Sequence, residues 1–210
     1  MRRGKFIVID GIDGSGKGLQ ARLLQKALRG KRVLFTHDPP CEGAGKAIAD
    51  VIRDKSAAHT PLSDFFLFWA ARAAHTEGVI APALKKGTHV ISDRFDSSTF
   101  AYQLCGENQK HLLPLFRAAR RDALKDATPD AYIILDIAPR LALERRSSAK
   151  DKARELDRFE KTSHAHRARV AAGFRAFKAE DSKTYRVDAS GSPEDVHRAI
   201  LTLVTSIIRA

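Results

Sequence analysis

A stretch near the start of the chain, Gly11-Ile12-Asp13-Gly14-Ser15-Gly16-Lys17, has the spacing G-x-x-x-x-G-K. Glycines at those positions let successive backbone N–H groups turn inward around an anion, and the lysine then reaches the terminal phosphates of a nucleotide. The stretch follows an apolar run and precedes residues with helical apolar spacing, so the positive end of a helix dipole faces the same anion. A second group, Asp93-Arg94-Phe95-Asp96-Ser97-Ser98-Thr99-Phe100-Ala101-Tyr102-Gln103, begins where another short apolar run ends. Carboxyl ends of parallel strands are where open sheets bind ligands. A guanidinium at that place can grip a phosphate through two parallel hydrogen bonds, which an ammonium cannot. Plainer readings exist for both groups: a glycine-rich turn with a solvated lysine, and an arginine in a surface ion pair. The strand-before, helix-after context favours the phosphate cradle.

The elements that must position these groups alternate, strand then helix, almost throughout. Residues 6–10, 33–36, 89–92, 131–136 and 184–187 read as five short strands. Leu19, Leu23, Leu24 and Leu28 recur at helical spacing until Gly30. Residues 62–84 read as one long apolar helix closed by Lys85-Lys86-Gly87, with cations and a glycine at its expected end. Further helices are expected over 99–104 and 111–126, from Pro139 onward, and up to about residue 181. Ser192-Pro193 opens a last helix carrying Val196, Ile200, Val204 and Ile207 or Ile208 on one face. Residues 145–157 are charged and poor in apolar side chains, which suits a mobile surface segment. The alternation predicts an α/β fold in three layers, with a parallel central sheet of about five strands between helices.

With 210 residues and 43% hydrophobic content the chain can bury a substantial core, and one domain over 1–210 is expected. Cys41 and Cys105 form neither a metal-like pair nor a disulfide array, so a cytoplasmic setting is expected. The run at residues 5–10 is too short for a signal peptide or a membrane span. A formal charge of +12 invites a nucleic-acid reading. The excess is spread over several segments and mixed with acids, so helix faces and nucleotide phosphates account for it as well.

Taken together, Gly11 to Lys17 and Asp93 to Gln103 resemble the thymidylate kinase family, whose signature reads Asp-Arg-aromatic, a serine, then Ala-Tyr-Gln. Phe68-Trp69-Ala70-Ala71-Arg72-Ala73-Ala74-His75, Pro129-Asp130, Leu135-Asp136, Glu155-Leu156-Asp157-Arg158-Phe159-Glu160 and Asp188-Ala189-Ser190 extend the resemblance in order over nearly the whole chain. It implies a P-loop NTPase fold with a lid at about 145–157, and transfer of the ATP γ-phosphoryl group to dTMP with Mg²⁺. Residues Gly11, Ile12, Asp13, Gly14, Ser15, Gly16, Lys17 and Gly18 would bind ATP. Phe68 would stack on thymine and Arg72 donate to its O4. Positions four apart share a helix face, so the pairing is physically apt. Read without the resemblance, Phe68 is one of several core aromatics in Phe65-Phe66-Leu67-Phe68-Trp69. Arg94 would hold the acceptor 5′-phosphate, Asp93 would orient a Mg²⁺-bound water, and Asp13 would accept from the sugar 3′-OH. Tyr102 would crowd the 2′ position, Ser98 and Thr99 would meet the base edge, and Pro39 would wall the base pocket. Because the loop carries Gly14-Ser15 and no arginine, the resemblance assigns the catalytic arginine to the lid, with Arg154 or Arg158 ahead of Arg146. It also implies a homodimer that packs helices, to which the 62–84 helix could contribute.

The chain departs from the family pattern in three places. Gly18-Leu19 replaces the Ser/Thr that normally ligates Mg²⁺ beside the phosphates. His37-Asp38-Pro39-Pro40-Cys41 stands where the bacterial members read Arg-Glu-Pro-Gly-Gly, and Ala71 replaces the aspartate before Arg72, leaving that arginine without its usual orienting partner. Two other functions are compatible with these changes. One is a kinase for another nucleotide or a deoxynucleoside; the other is a catalytically silent protein that binds nucleotides or nucleic acid.

Overall fold

The computed structural model describes residues 2–54, 56, 57, 59–148 and 163–209. Phe6, Ile7, Val8 and Ile9 have no exposed surface, as a central parallel strand buried on both faces requires. They form β1 (Phe6–Gly11), flanked by β3 (His89–Asp93) and β4 (Ala131–Asp136). β2 (Val33–His37) and β5 (Lys183–Asp188) complete a sheet of order β2-β3-β1-β4-β5 whose pairs are all parallel. The register sets Ile9 beside Asp93 and His37 beside Asp93, so three strands end at one level. Both chemical groups found in the sequence leave the sheet from that edge.

Helices cover both faces of the sheet: α1 (Lys17–Ala27), α2 (Lys46–Arg53), α3 (Pro61–His75), α4 (Ala81–Lys85), α5 (Asp96–Thr99), α6 (Leu113–Leu124), α7 (Pro139–Ser148), α8 (His164–Ala176) and α9 (Pro193–Arg209). The start of α3 is set by sequence: Pro61 opens it, Thr60 Oγ1 accepts from Ser63 N at 3.1 Å, and Ser63 Oγ accepts from Thr60 N at 2.8 Å. Val196, Ile200 and Val204 of α9 are buried together, the face expected from their spacing.

Four expectations are corrected. The helix over 62–84 is α3 and α4 joined by a π turn at Thr76–Ile80, in which Ala81 N reaches back to Thr76 O. The following Pro82 has no N–H to offer, and the hydrogen-bond ladder widens just before it. The helix over 99–104 is α5 followed by a π turn, Phe100–Gly106. Here α8 approaches so closely that a Cβ on Gly173 would lie 2.9 Å from Ala101 Cα. The helix drawn to about residue 181 ends at Ala176, because Phe177 turns extended and packs its ring 5.0 Å from Tyr132 and 5.5 Å from Phe100. The segment 145–157 begins as helix, since α7 runs to Ser148; the rest of it, with Arg154, and Arg158 just beyond it lie outside the described residues. α2 was not anticipated at all.

Candidate active site

The loop between β1 and α1 turns on Gly14 (φ 85°) and Gly16 (φ 96°), a left-handed geometry that glycine adopts without strain. Gly14 also packs directly on α7: a Cβ there would stand 2.1 Å from Ala142 O. Lys17 Nζ folds over the loop and donates to Gly11 O at 2.8 Å and Ile12 O at 2.9 Å, with Asp13 at 3.9 Å. Burial, and next the charge of Arg94, pull the lysine's pKa down, while Asp13, Asp93 and Asp10 oppose them. Phosphate oxygens would give this buried ammonium better partners than the two carbonyls that hold it.

Arg94 leaves β3 with φ 68°, a conformation uncommon for any residue but glycine. Its backbone N donates to Ile9 O at 2.9 Å, which extends the β1–β3 ladder by one bond. The side chain then lies over the end of β1. Its guanidinium pairs with Asp13, reaches Ser98 Oγ at 3.3 Å, stands 3.9 Å from Asp10 and stacks 5.5 Å from the centre of the Tyr102 ring. Tyr102 OH donates to the other Asp13 oxygen at 2.8 Å. Burial opposes ionisation of Asp13, yet Arg94, Lys17 and the Tyr102 hydroxyl outweigh it and hold the carboxyl well below the usual range. Tyr102 is pushed up by burial and by that same carboxylate.

Asp10 anchors the arrangement from beneath. It is fully buried and accepts from Gly11 N at 2.8 Å, Ser97 Oγ at 2.6 Å and Ser98 Oγ at 2.9 Å. Ser97 and Ser98 belong to α5, so one carboxylate ties the phosphate loop to the Asp93–Gln103 segment.

A third cluster lies on α3. Arg72 is 0% exposed and sandwiched between Trp69 (4.8 Å to the ring centre) and Phe95 (5.3 Å). Its Nη2 donates to Asp38 Oδ1 at 2.7 Å and to Phe95 O at 3.2 Å. Asp38 thus takes the orienting place that Ala71 leaves empty, which corrects the expectation that Arg72 lacks such a partner. His75 stands 3.8 Å from the same carboxylate and meets Thr36 Oγ1 at 2.8 Å. Burial would raise Asp38, but Arg72 and His75 prevail and lower it. Arg72 Nε and Nη1 are buried without a hydrogen-bond partner among the described residues.

All three clusters open into one cavity of about 720 Å³. Asp13, Gly14, Ser15, Gly16, Lys17, Gly18, Pro39, Phe68, Arg72, Asp93, Arg94, Ser98 and Tyr102 line it, as do Arg145 and Arg146 of α7. Gly11 and Ile12 sit behind the lining and hold Lys17 through their carbonyls. Thr99 is fully buried, also behind the wall, and its Oγ1 has no hydrogen-bond partner among the described residues. At the far end, Arg145 clamps the loop after β5, donating to Ala189 O at 2.5 Å, Ser190 O at 2.6 Å and Gly191 O at 3.0 Å. Arg146 is close enough to Asp13 to lower its pKa.

Mg²⁺ keeps several waters and is commonly held by one or two carboxylates plus substrate phosphates. Asp93 suits that role, because its Oδ1 is buried without a hydrogen-bond partner among the described residues. No group of three or more His, Cys, Asp or Glu among the described residues could hold a metal alone, so bound phosphates would have to supply the remaining ligands.

Sequence reading gave Ser97 and Gln103 no role beyond their place in the Asp93–Gln103 group, and it missed Asp10, Arg22 and the orienting role of Asp38. Asp10 did leave a signal, since a carboxylate ending a buried strand must find donors. Arg22 and Asp38 did not stand out from ordinary polar positions.

A family model described as Thymidylate kinase matches residues 9–200. The chain is 36% identical over 207 residues to a thymidylate kinase of Gluconobacter oxydans (strain 621H), covering 96% of this chain and 94% of that one. It is 33% identical over 216 residues to one from Prochlorococcus marinus (strain NATL1A), covering 99% of both. A third, from Cereibacter sphaeroides (strain ATCC 17029 / ATH 2.4.9), is 36% identical over 214 residues, covering 99% and 98%. With matches that run nearly end to end, and a phosphate loop and an Asp-Arg-Phe segment meeting in one cavity, this chain belongs to the thymidylate kinase family.

Proposed function

We propose that this protein transfers the γ-phosphoryl group of ATP to dTMP, giving dTDP and ADP for dTTP synthesis. The observation that carries the acceptor assignment is Arg72, whose Nε and Nη1 are buried and lack an acceptor among the described residues, beside half-buried Phe68 in the same cavity. A planar base with a carbonyl at that edge satisfies both: its face meets Phe68 and its oxygen accepts from Arg72. Thymine O4 is such an oxygen, whereas cytosine offers an amine there. Tyr102 and Asp13, already 2.8 Å apart, then face the sugar, the tyrosine at the 2′ edge and the carboxylate at the 3′-OH.

In the reaction a 5′-phosphate oxygen of dTMP bonds to the γ-phosphorus as the bond from that phosphorus to the β–γ bridging oxygen breaks. The protein's work is positioning and charge stabilisation. Lys17 and the N–H groups of residues 13–18 hold the ATP phosphates. Arg94 exchanges its Asp13 contact for the acceptor phosphate, with Ser98 keeping the guanidinium in place. Arg154 or Arg158 of the lid is the arginine assigned to the transferred group, and closure over the cavity excludes water. Asp93, with the bound phosphates, would hold Mg²⁺, which would supply neutralisation of phosphate charge.

The same reading takes residues 1–210 as a single cytoplasmic domain acting as a homodimer. Leu62 (46% exposed) and Phe66 (52% exposed) present an apolar face one turn apart on α3, which supports the dimer contact. No helix among the described residues is long and apolar enough to cross a membrane.

The decisive test is ADP release with Mg-ATP in the presence of dTMP, dUMP, dGMP, thymidine or no acceptor, with products identified by chromatography. Clear preference for dTMP with dTDP as product is expected. Another acceptor in first place would mean the base pocket is misassigned, and no turnover with any acceptor would refute the kinase reading.

A further inference from the structure

Gly18 leaves a gap whose walls are charged. A Cβ at this position would stand 3.7 Å from Arg22 Nη1 and 3.9 Å from Asp93 Oδ2, with nothing nearer. Arg22 lies one turn along α1 from Gly18, on the same helix face, and lines the cavity. It is exposed, and among the described residues it has neither a hydrogen bond nor an ion pair, although Asp93 is across the gap. Asp93 itself keeps Oδ1 buried and without a hydrogen-bond partner among the described residues. A cation and a carboxylate that flank one vacant point without closing on each other leave room for a third, oxygen-bearing group between them.

We propose that Arg22 is a further phosphate-binding residue for the donor nucleotide, reaching its terminal phosphates through the gap that Gly18 opens. This rests on the kinase reading above. A hydroxyl at position 18 would offer a phosphate-bound cation one neutral oxygen; with glycine there, the neighbouring guanidinium itself brings a full positive charge and several directed donors. Arg22 and the divalent cation therefore share the neutralisation of the phosphates, and nucleotide binding by this chain leans less on the metal.

The test is titration calorimetry of ATP, without acceptor, in EDTA and in Mg²⁺, with dTMP titrated separately as a control. Arg22→Ala is expected to weaken metal-free ATP by about tenfold or more, the scale of a lost charge-assisted hydrogen bond. The loss in Mg²⁺ should be smaller and dTMP affinity unchanged. Because Arg22 is exposed, the variant should keep the wild-type melting temperature, and Arg22→Lys should recover part of the binding. Metal-free ATP affinity within twofold of wild type in Arg22→Ala overturns the proposal, as does an equal loss of dTMP affinity, which would put Arg22 on the acceptor. Gly18→Ser fits without a clash and should shrink the effect of Arg22→Ala in the double variant; an undiminished loss there shows that Arg22 does not act through the gap. Wild-type protein with no ATP affinity in either buffer would overturn the kinase reading itself, a result distinct from all of these.

Discussion

Replacing Arg72 by alanine should damage stability and acceptor binding by separable routes. The Arg72–Asp38 pair is 0% and 1% exposed, so truncating the arginine strands a carboxylate in the core. Breaking a buried pair from one side costs about 3–5 kcal/mol. For a chain of this size that lowers the melting temperature by roughly 6–20 °C. On the proposed assignment the variant also forfeits the bond to the base carbonyl, a charged-donor hydrogen bond of about 1.5–3 kcal/mol. That corresponds to a dTMP dissociation constant raised about 10- to 150-fold, with ATP affinity unchanged. Thermal unfolding measures the first effect and titration calorimetry with dTMP the second. The double variant Arg72→Met/Asp38→Leu separates them: it removes both charges, so it should recover most of the stability lost in Arg72→Ala while remaining as poor at binding dTMP. Arg72→Ala with dTMP affinity within twofold of wild type would refute the assignment of Arg72 to the base. A double variant no more stable than Arg72→Ala would refute the account of the buried pair.

Lys17→Ala and Arg94→Ala should each lower turnover by orders of magnitude in the coupled assay while circular dichroism shows a folded chain; near-normal rates in both would contradict the phosphate-holding roles. Gly14→Ala places a Cβ 2.1 Å from Ala142 O at φ 85° and should cost at least about 1–3 kcal/mol, seen in chemical denaturation, together with weakened ATP binding as α7 is displaced. Phe66→Glu on α3 should shift the protein toward monomer in sedimentation velocity, and an unchanged dimer would move the interface elsewhere. The Asp13 pKa is depressed from 3.8, so its contribution to stability is present above that value and is lost as pH falls below it toward the folded pKa. Asp13→Asn should accordingly flatten the acid limb of the stability-against-pH curve, and an unaltered limb would show that the Asp13–Arg94 pair contributes nothing there.

β1, β3 and β4 were legible because each is a short apolar run, as a strand buried on both faces must be; the edge strands β2 and β5 are only partly buried and were legible from their place in the strand–helix alternation. The phosphate loop was legible because its function dictates its glycines. Other features depend on contacts that no local pattern carries. The π turn at Phe100–Gly106 is set by how closely α8 packs over Ala101 and Cys105, and the one at Thr76–Ile80 appears only once Pro82 is placed inside a continuing helix. α2 escaped because Ala49 and Ile52 alone are buried within it, and it follows a glycine-rich stretch that reads as loop. In the site, Phe68 and Arg72 could be paired by spacing. The partnership of Arg72 with Asp38 could not, because 34 residues separate them and only the fold of β2 against α3 brings them to 2.7 Å. Arg22 is an exposed helical arginine in sequence, and only the vacant Cβ position at Gly18 gives it a meaning.

The buried carboxylate Asp10 explains why the two substrate halves of the cavity should respond to one another. Burial raises its pKa, while Arg94, Lys17, Ser97 and the Gly11 N–H all favour the charged form. Its cationic neighbours thus include the proposed donor-phosphate residue, Lys17, and the proposed acceptor-phosphate residue, Arg94. A phosphate that draws either cation away removes one support for the ionised carboxylate and leaves the other more tightly committed to it. Asp13, which also meets both cations, is on the cavity side, whereas Asp10 is beneath the loops. Donor and acceptor phosphates are therefore expected to bind with measurable coupling, and Asp10→Asn should diminish it. Calorimetric titration of ADP with and without dTMP reads that coupling directly: an identical coupling factor in wild type and Asp10→Asn would mean that the two loops communicate by another route.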